Sequence, residues 1–210
     1  MLTRREFLLN AGLFGASALV PDMAFGSATE QFTRMDRVRA VTKRLSVQPR
    51  RWEWIVGHHS ATQSGNAEIF GREHMRRGME NGLAYHFVIG NGTKSGEGEI
   101  EIGPRWLKQI KGGHVHREEI NEVGIGICLV GNFEENRPTA RQLTAFKALV
   151  DYLREDVVGK SIHFAVHREI DPGRTACPGK HFPIREMHAR YGKFAAPKMA
   201  RQSVSQEKLA

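Results

Sequence analysis

FAVHREIDPGRTACPGKHF, residues Phe164 to Phe182, joins a short apolar run to a loop punctuated by two Pro-Gly pairs. The run ends on His167, and Cys177 follows between Pro172-Gly173 and Pro178-Gly179. Proline presets φ and glycine accepts positive φ, so a loop of this kind bends back over the strand it leaves. An imidazole and a thiol brought together in that way can both reach one metal ion. Two ligands do not make a stable site. The run WEWIVGHHSAT, starting at Trp52, offers His58 as the third, with His59 as the alternative. Side chains alternate along a strand, so only one of the two faces a common pocket, and His58 is the preferred ligand. Two histidines and a cysteine with one position left open describe a catalytic zinc. A structural zinc closes with a fourth protein ligand.

Outward from this stretch, apolar runs and helical stripes alternate. Trp52 to His58 reads as a buried strand. Ser64-Gly65-Asn66 is a turn, and Ala67 to Met79 has helical period with Ile69, Phe70, Met75 and Met79 on one side. Ala84 to Ile89 is a second strand, Glu99 to Ile102 a short one, and Gly112 to His116 a loop. Val123 to Gly131 is an apolar strand with interleaved glycines, which let neighbours approach closely. Thr139 caps a long amphipathic helix reaching about Val157, whose buried stripe is Leu143, Phe146, Leu149, Val150 and Leu153. Ile162 to Val166 is the last strand and Pro183 to Tyr191 a closing helix. The alternation predicts a single α/β domain over residues 52–194, with a central mixed β-sheet flanked by helices. Sites in such sheets collect at strand ends and the loops beyond them. His58, Tyr85, Cys128 and His167 all lie on or beside predicted strands, which makes a shared pocket geometrically reasonable. Residues 27–51 are polar and basic; Val38, Val41 and Leu45 have helical spacing, but the segment reads as a leader. Residues 195–210 read as a polar tail.

A chain of 210 residues with 40% hydrophobic and 26% charged content suits one soluble domain. Its 31 Lys and Arg against 23 Asp and Glu give +8. That excess favours a polyanionic neighbour such as an acidic wall polymer, with solubility alone as the plainer reading. No helix-turn-helix, finger or RNP pattern is present, so nucleic acid is not expected as a partner. Residues 1–26 stand apart. Arg4 and Arg5 precede an apolar run whose stretch Leu8 to Val20 is uncharged, and small residues follow at Ala24 and Gly26. This is the pattern of a twin-arginine export signal rather than of a spanning helix. It predicts passage through the twin-arginine machinery into the periplasm, with no stable membrane insertion after processing and secretion beyond left open. The two cysteines invite a disulfide in an exported protein. Their contexts argue against it, since Cys128 lies in the apolar run GIGICLVG and Cys177 in a polar turn.

Five motifs occur in order: HHSAT, AYHFVI, GGHV with Asn121 a few positions on, VGIGICLVGNF and HREIDPGRTACPG. Together they resemble the type 2 N-acetylmuramoyl-L-alanine amidase family, related to peptidoglycan recognition proteins and small phage amidases. The resemblance covers residues 52–182. It implies zinc-dependent cleavage of the amide between N-acetylmuramic acid and L-alanine in peptidoglycan or muropeptides. Carried over by position, His58, His167 and Cys177 are the zinc ligands and Tyr85 a catalytic phenol beside the metal. His114 resembles a histidine beside the substrate cleft, and Asn121 is a candidate for hydrogen-bonding the peptide. Two departures stand out. Cys128 occupies a position where some members carry a glutamate base, and Thr175 one where some carry a lysine. A buried thiol is a poor base and a threonine brings no charge, so Thr175 is expected to contribute one hydrogen bond to catalysis. Proton transfer is left to Tyr85, the activated water or a neighbour. The competing expectation is a peptidoglycan-binding module without catalysis.

Overall fold

Strand β1 (Trp54–His59) is buried at all six residues, as a parallel strand covered on both faces must be. It pairs in parallel with β4 (Gly124–Leu129) and with β5 (His163–Val166). Beyond β4 lie β2 (Phe87–Ile89), also parallel, and β3 (Ile100–Ile102), which runs antiparallel to β2. The five-stranded sheet therefore has the order β3-β2-β4-β1-β5 and is mixed, as expected from the sequence. This computed structural model describes residues 35–195. The export signal, the start of the basic segment and nearly all of the C-terminal tail lie outside the described residues.

Strand alternation gives the two faces different work. On one face Ile55, Ile125, Ile127, Leu129, Phe164 and Val166 form a single apolar cluster with Phe146, Leu149 and Val150 of helix α5 (Ala140–Tyr152). Burying an aliphatic or aromatic side chain of this size contributes about 1.5–3 kcal/mol. Thr139 accepts a hydrogen bond from Gln142 N–H, and Gln142 Oε1 accepts from Thr139 N–H, which closes a capping box at the start of α5. The Gln142 amide also donates to the carbonyls of Val130 (2.8 Å) and Ile89 (3.3 Å), so the helix start is tied to the ends of β4 and β2. The other face carries Trp54, Val56, Val88, Cys128 and Ala165 in two smaller clusters.

Several expectations need adjustment. Residues 35–42, read as part of a leader, form a helix (α1) that belongs to the folded body. Met35 and Val38 are buried in the main cluster, Leu45 packs against it, and Thr42 Oγ1 accepts a hydrogen bond from Trp106 Nε1 at 3.0 Å. Thr42, not Val41, completes the inward stripe. Helix α2 (Ala67–Arg76) is shorter than its periodicity suggested, and of its apolar residues only Phe70 is buried; Met75 is 56% exposed. Residues 84–86 do not join the β2 ladder as a strand: Ala84 O accepts from Gly113 N–H and His86 N–H donates to Gly126 O. Three short helices were not anticipated: α3 (Pro104–Lys108), α4 (Glu118–Val123) and α6 (His167–Ile170). A closing helix α7 (Ile184–Tyr191) lies where it was expected. No helix among the described residues is long and apolar enough to cross a membrane.

Candidate metal centre

His58 is the fifth residue of β1, one step before the strand ends, and sits opposite Cys128 of β4. His167 is the first residue of α6, directly after β5, the strand beside β1 on its other edge. The chain then runs through Pro172-Gly173 and returns, with Arg168 N–H donating to Cys177 O at 2.8 Å. Thr175 Oγ1 accepts from Cys177 N–H at 3.1 Å and so fixes the turn from inside. As a result one ligand atom each of His58, His167 and Cys177 lies within 4.8 Å of the others. Cys177 Sγ is 3.7 Å from His58 Nδ1. Both cysteines are free thiols, so no disulfide competes for Cys177.

The chemistry of this donor set fits zinc. Zn–S near 2.3 Å and Zn–N of 2.0–2.1 Å at a tetrahedral angle separate sulfur from nitrogen by about 3.6 Å, close to the observed 3.7 Å. Burial, reinforced by the neighbouring imidazoles of His114 and His167, holds His58 well below the usual histidine range. His167 is lowered too, mainly by burial, against the opposing pull of Asp171. Both rings are thus neutral and able to ligate. Burial pushes the Cys177 thiol up to about 12, with the His59 N–H bond to its sulfur (3.4 Å) working the other way. Metal binding must therefore release the thiol proton.

His59 points elsewhere. Its Nδ1 accepts from Phe133 N–H at 3.0 Å and its ring lies 5.8 Å from the Phe133 ring. Tyr85 stands beside the cluster, 5.2 Å ring to ring from His58 and 5.7 Å from His74. Its hydroxyl hydrogen-bonds with the Cys128 thiol, and burial raises both groups above their ordinary values. At neutral pH Tyr85 therefore remains a phenol that donates, which removes it as a resting-state base, and Cys128 remains a thiol.

His114 and Asn121 are buried behind the cluster rather than displayed in front of it. Asn121 Oδ1 accepts from the backbone N–H groups of His114 (2.9 Å) and Val115 (3.2 Å), and its amide donates to Val115 O at 2.9 Å. Those bonds commit Asn121 to shaping the 112–117 loop. His114 Nδ1 lies 3.1 Å from His58 Nε2. Two nearby groups had no place in the sequence reading. Asp171 is buried and its Oδ2 lies 3.1 Å from His167 Nε2, also accepting from His116 N–H at 2.7 Å. It stands one helical turn after His167, a spacing that could have drawn attention to it. His74 was passed over as well; its Nδ1 accepts from Ala84 N–H at 3.0 Å and so holds the segment carrying Tyr85.

A family model described as N-acetylmuramoyl-L-alanine amidase matches residues 48–180, more than half of the chain. The chain belongs to that family. Among curated relatives, a peptidoglycan-recognition protein of Drosophila simulans is 32% identical over 111 residues, 52% of this chain and 54% of the relative. A second from the same fly, peptidoglycan-recognition protein SC2, is 33% identical over 99 residues, 46% and 47% of the two chains. The chain thus spans about half the length of the curated relatives it matches. Among solved structures, the N-acetylmuramoyl-L-alanine amidase LysC from Clostridium intestinale URNW is 30% identical with a TM-score of 0.54, over 67% of this chain and 85% of that one. Peptidoglycan recognition protein-LE, solved in complex with tracheal cytotoxin, shares the fold at 23% identity and a TM-score of 0.55, over 69% and 83%. In this amidase-family chain the His58, His167 and Cys177 cluster sits at the C-terminal edge of the parallel strands, where ligands collect in open α/β sheets.

Proposed function

We propose that this chain is a zinc-dependent N-acetylmuramoyl-L-alanine amidase that hydrolyses peptidoglycan or its soluble muropeptides. The observation that carries the reading is the three-donor cluster of His58, His167 and Cys177. The full ligand set is kept, and no fourth His, Cys, Asp or Glu closes it among the described residues. Zinc bound there supplies a Lewis acid for the amide carbonyl and lowers the pKa of a water to about 7.

The chain's own groups supply the rest. Tyr85, held as a phenol, donates a hydrogen bond to the carbonyl oxygen as negative charge builds on it. A donor of that kind contributes about 3 kcal/mol to lowering the barrier. Thr175 has its oxygen occupied by Cys177 N–H, which leaves its O–H free to donate toward the substrate. Cys128, buried and protonated, does not take the place of a carboxylate base.

Paired Arg4-Arg5 and the uncharged run after them support export in folded form to the periplasm, where the polymer is found. A second reading, binding without cleavage, is favoured by the recognition proteins among the curated relatives. One experiment separates the two. Purified protein is incubated with muropeptides, with and without a chelator, and the products are read by mass spectrometry. The amidase reading expects free glycan and free peptide, loss of both with chelator, and recovery on adding zinc. Intact muropeptide bound to zinc-loaded protein would establish the binding module instead, and cleavage indifferent to chelator would sink the zinc assignment.

A further inference from the structure

The two metal-facing imidazoles are each gripped from behind, by chemically different partners. His114 Nε2 lies 3.2 Å from the carbonyl oxygen of Gly124. A carbonyl only accepts, so that nitrogen carries the proton and His114 Nδ1 is bare. His58 Nε2, 3.1 Å from that bare nitrogen, must then be the donor. The proton on Nε2 leaves His58 Nδ1 as a lone pair, and it is Nδ1 that faces Cys177 Sγ. His167 reaches the same state by another route. Its Nε2 meets the carboxylate of Asp171, which accepts, and its Nδ1 is left bare.

The seat behind His58 is built for a ring. A Cβ added at Gly126 or at Gly112 would come within 2.4 Å of His114 Cδ2. No larger residue fits at either position while His114 keeps its place. The Asn121 amide oxygen meanwhile holds His114 by its own backbone N–H. Three elements thus converge on one buried imidazole.

We propose that His114 and Asp171 are positioning residues that fix both metal-facing histidines as Nε2–H tautomers, presenting Nδ1 from each to the ion. This assigns His114 to orienting a ligand rather than contacting substrate, and it rests on the zinc reading only for its consequence in affinity. Partners of this kind typically change metal affinity by about ten- to a hundredfold when removed.

The test begins on metal-free, 15N-labelled protein at neutral pH, with long-range nitrogen–proton correlation of the imidazoles. His58 and His167 are expected as Nε2–H tautomers; either ring found as Nδ1–H overturns the proposal for that ring. Zinc affinity is then measured by competition with a chromophoric chelator. His114→Ala is expected to weaken zinc about ten- to a hundredfold and to give His58 a mixture of tautomers. His114→Gln can accept from His58 and donate to Gly124 O, so it is expected to restore most of the affinity. Asp171→Asn keeps an acceptor without the charge and is expected to retain the His167 tautomer. Affinity unchanged in His114→Ala, or glutamine no better than alanine, refutes the positioning role. Absence of zinc binding in the unaltered protein would sink the metal reading, while the tautomer measurement would still decide this one.

Discussion

The two faces of the same sheet are made of opposite materials. Toward α5 the strands present Ile55, Ile125, Ile127, Phe164 and Val166, all buried and all apolar. On the other face they present Trp54, Val56, Val88, Cys128 and Ala165 in two smaller clusters, and among them His58 and the bare backbone of Gly124 and Gly126. One face is filled by its own side chains. The other is carved out by glycine, and histidines from the strands and from the 112–117 loop fill the space. Apolar packing tolerates many substitutions of similar volume, whereas each buried imidazole nitrogen needs a partner of the right polarity. The first face holds the fold together. The second spends structural precision on aligning donors.

The largest expected effect breaks the second face alone. Cys177→Ser replaces a thiolate by an alcohol that binds zinc far less well at neutral pH. Zinc content is expected to fall from one ion per chain to near none, and muropeptide cleavage to background. The cooperative unfolding of the metal-free protein should be little changed. Metal analysis after gel filtration checks this, and an unchanged zinc content would mean that another side chain completes the set. The opposite face breaks in the opposite way. Phe146 is fully buried against Phe164 and Phe182, so Phe146→Ala is expected to cost about 3–5 kcal/mol of stability in urea titration. Zinc stoichiometry of the protein still folded should remain at one.

Acid should act on buried imidazoles of both faces, since His59 lies on the α5 side of β1 against Phe133 and His114 on the other side against His58. His59 and His114 are both held near 4 rather than 6.5, chiefly by burial. Each uses one nitrogen as an acceptor, from Phe133 N–H and from His58 respectively, and protonation would destroy those bonds. Above pH 6.5 these rings are neutral folded or unfolded. Between about 6.5 and 4 the unfolded chain takes up protons that the fold refuses, so stability falls as pH falls, by about 1.4 kcal/mol per pH unit for each ring. Metal-free protein is therefore expected to lose stability across that window. The measurement is urea unfolding followed by tryptophan fluorescence at several pH values. A flat profile across the same window would show that these rings are hydrated rather than sealed.

What the sequence disclosed follows the same division. The α5 face was legible because periodicity reports apolar burial directly, as in Phe146, Leu149, Val150 and Leu153. The meeting of three donor side chains was legible because His58 and His167 lie at strand ends and Cys177 on a Pro-Gly turn. Their supports were not. His114 bonds to His58, a residue far away in the chain; Asp171 stands only four residues after His167, yet no local pattern encodes which nitrogen of a ring is bare. Helix α1 was missed because a stripe of Met35, Val38, Thr42 and Leu45 contains a threonine whose partner, Trp106, comes from α3. A short helix hidden among basic residues has too little apolar surface to announce itself without that partner.

The smallest expected effects sharpen the contrast most, because one substitution can be made on both faces. Gly57 faces α5, and a Cβ there would sit 3.4 Å from the Phe146 ring, an ordinary contact. Glycine inside a strand is itself unfavourable by about 0.5–1 kcal/mol relative to alanine, so Gly57→Ala is expected to leave stability within about 1 kcal/mol of the parent. Gly126 faces the other way, and its Cβ would meet His114 at 2.4 Å. Neither ring nor strand can yield, since His114 is tied to Gly124 O and His58, and β4 is paired on both sides. Gly126→Ala is therefore expected to cost about 1–3 kcal/mol, the usual penalty for overpacking, and to weaken zinc binding as well. Equal behaviour of the two variants in urea titration and zinc competition would mean that the glycines on the histidine face are incidental, and that the space behind His58 is not held open by backbone design.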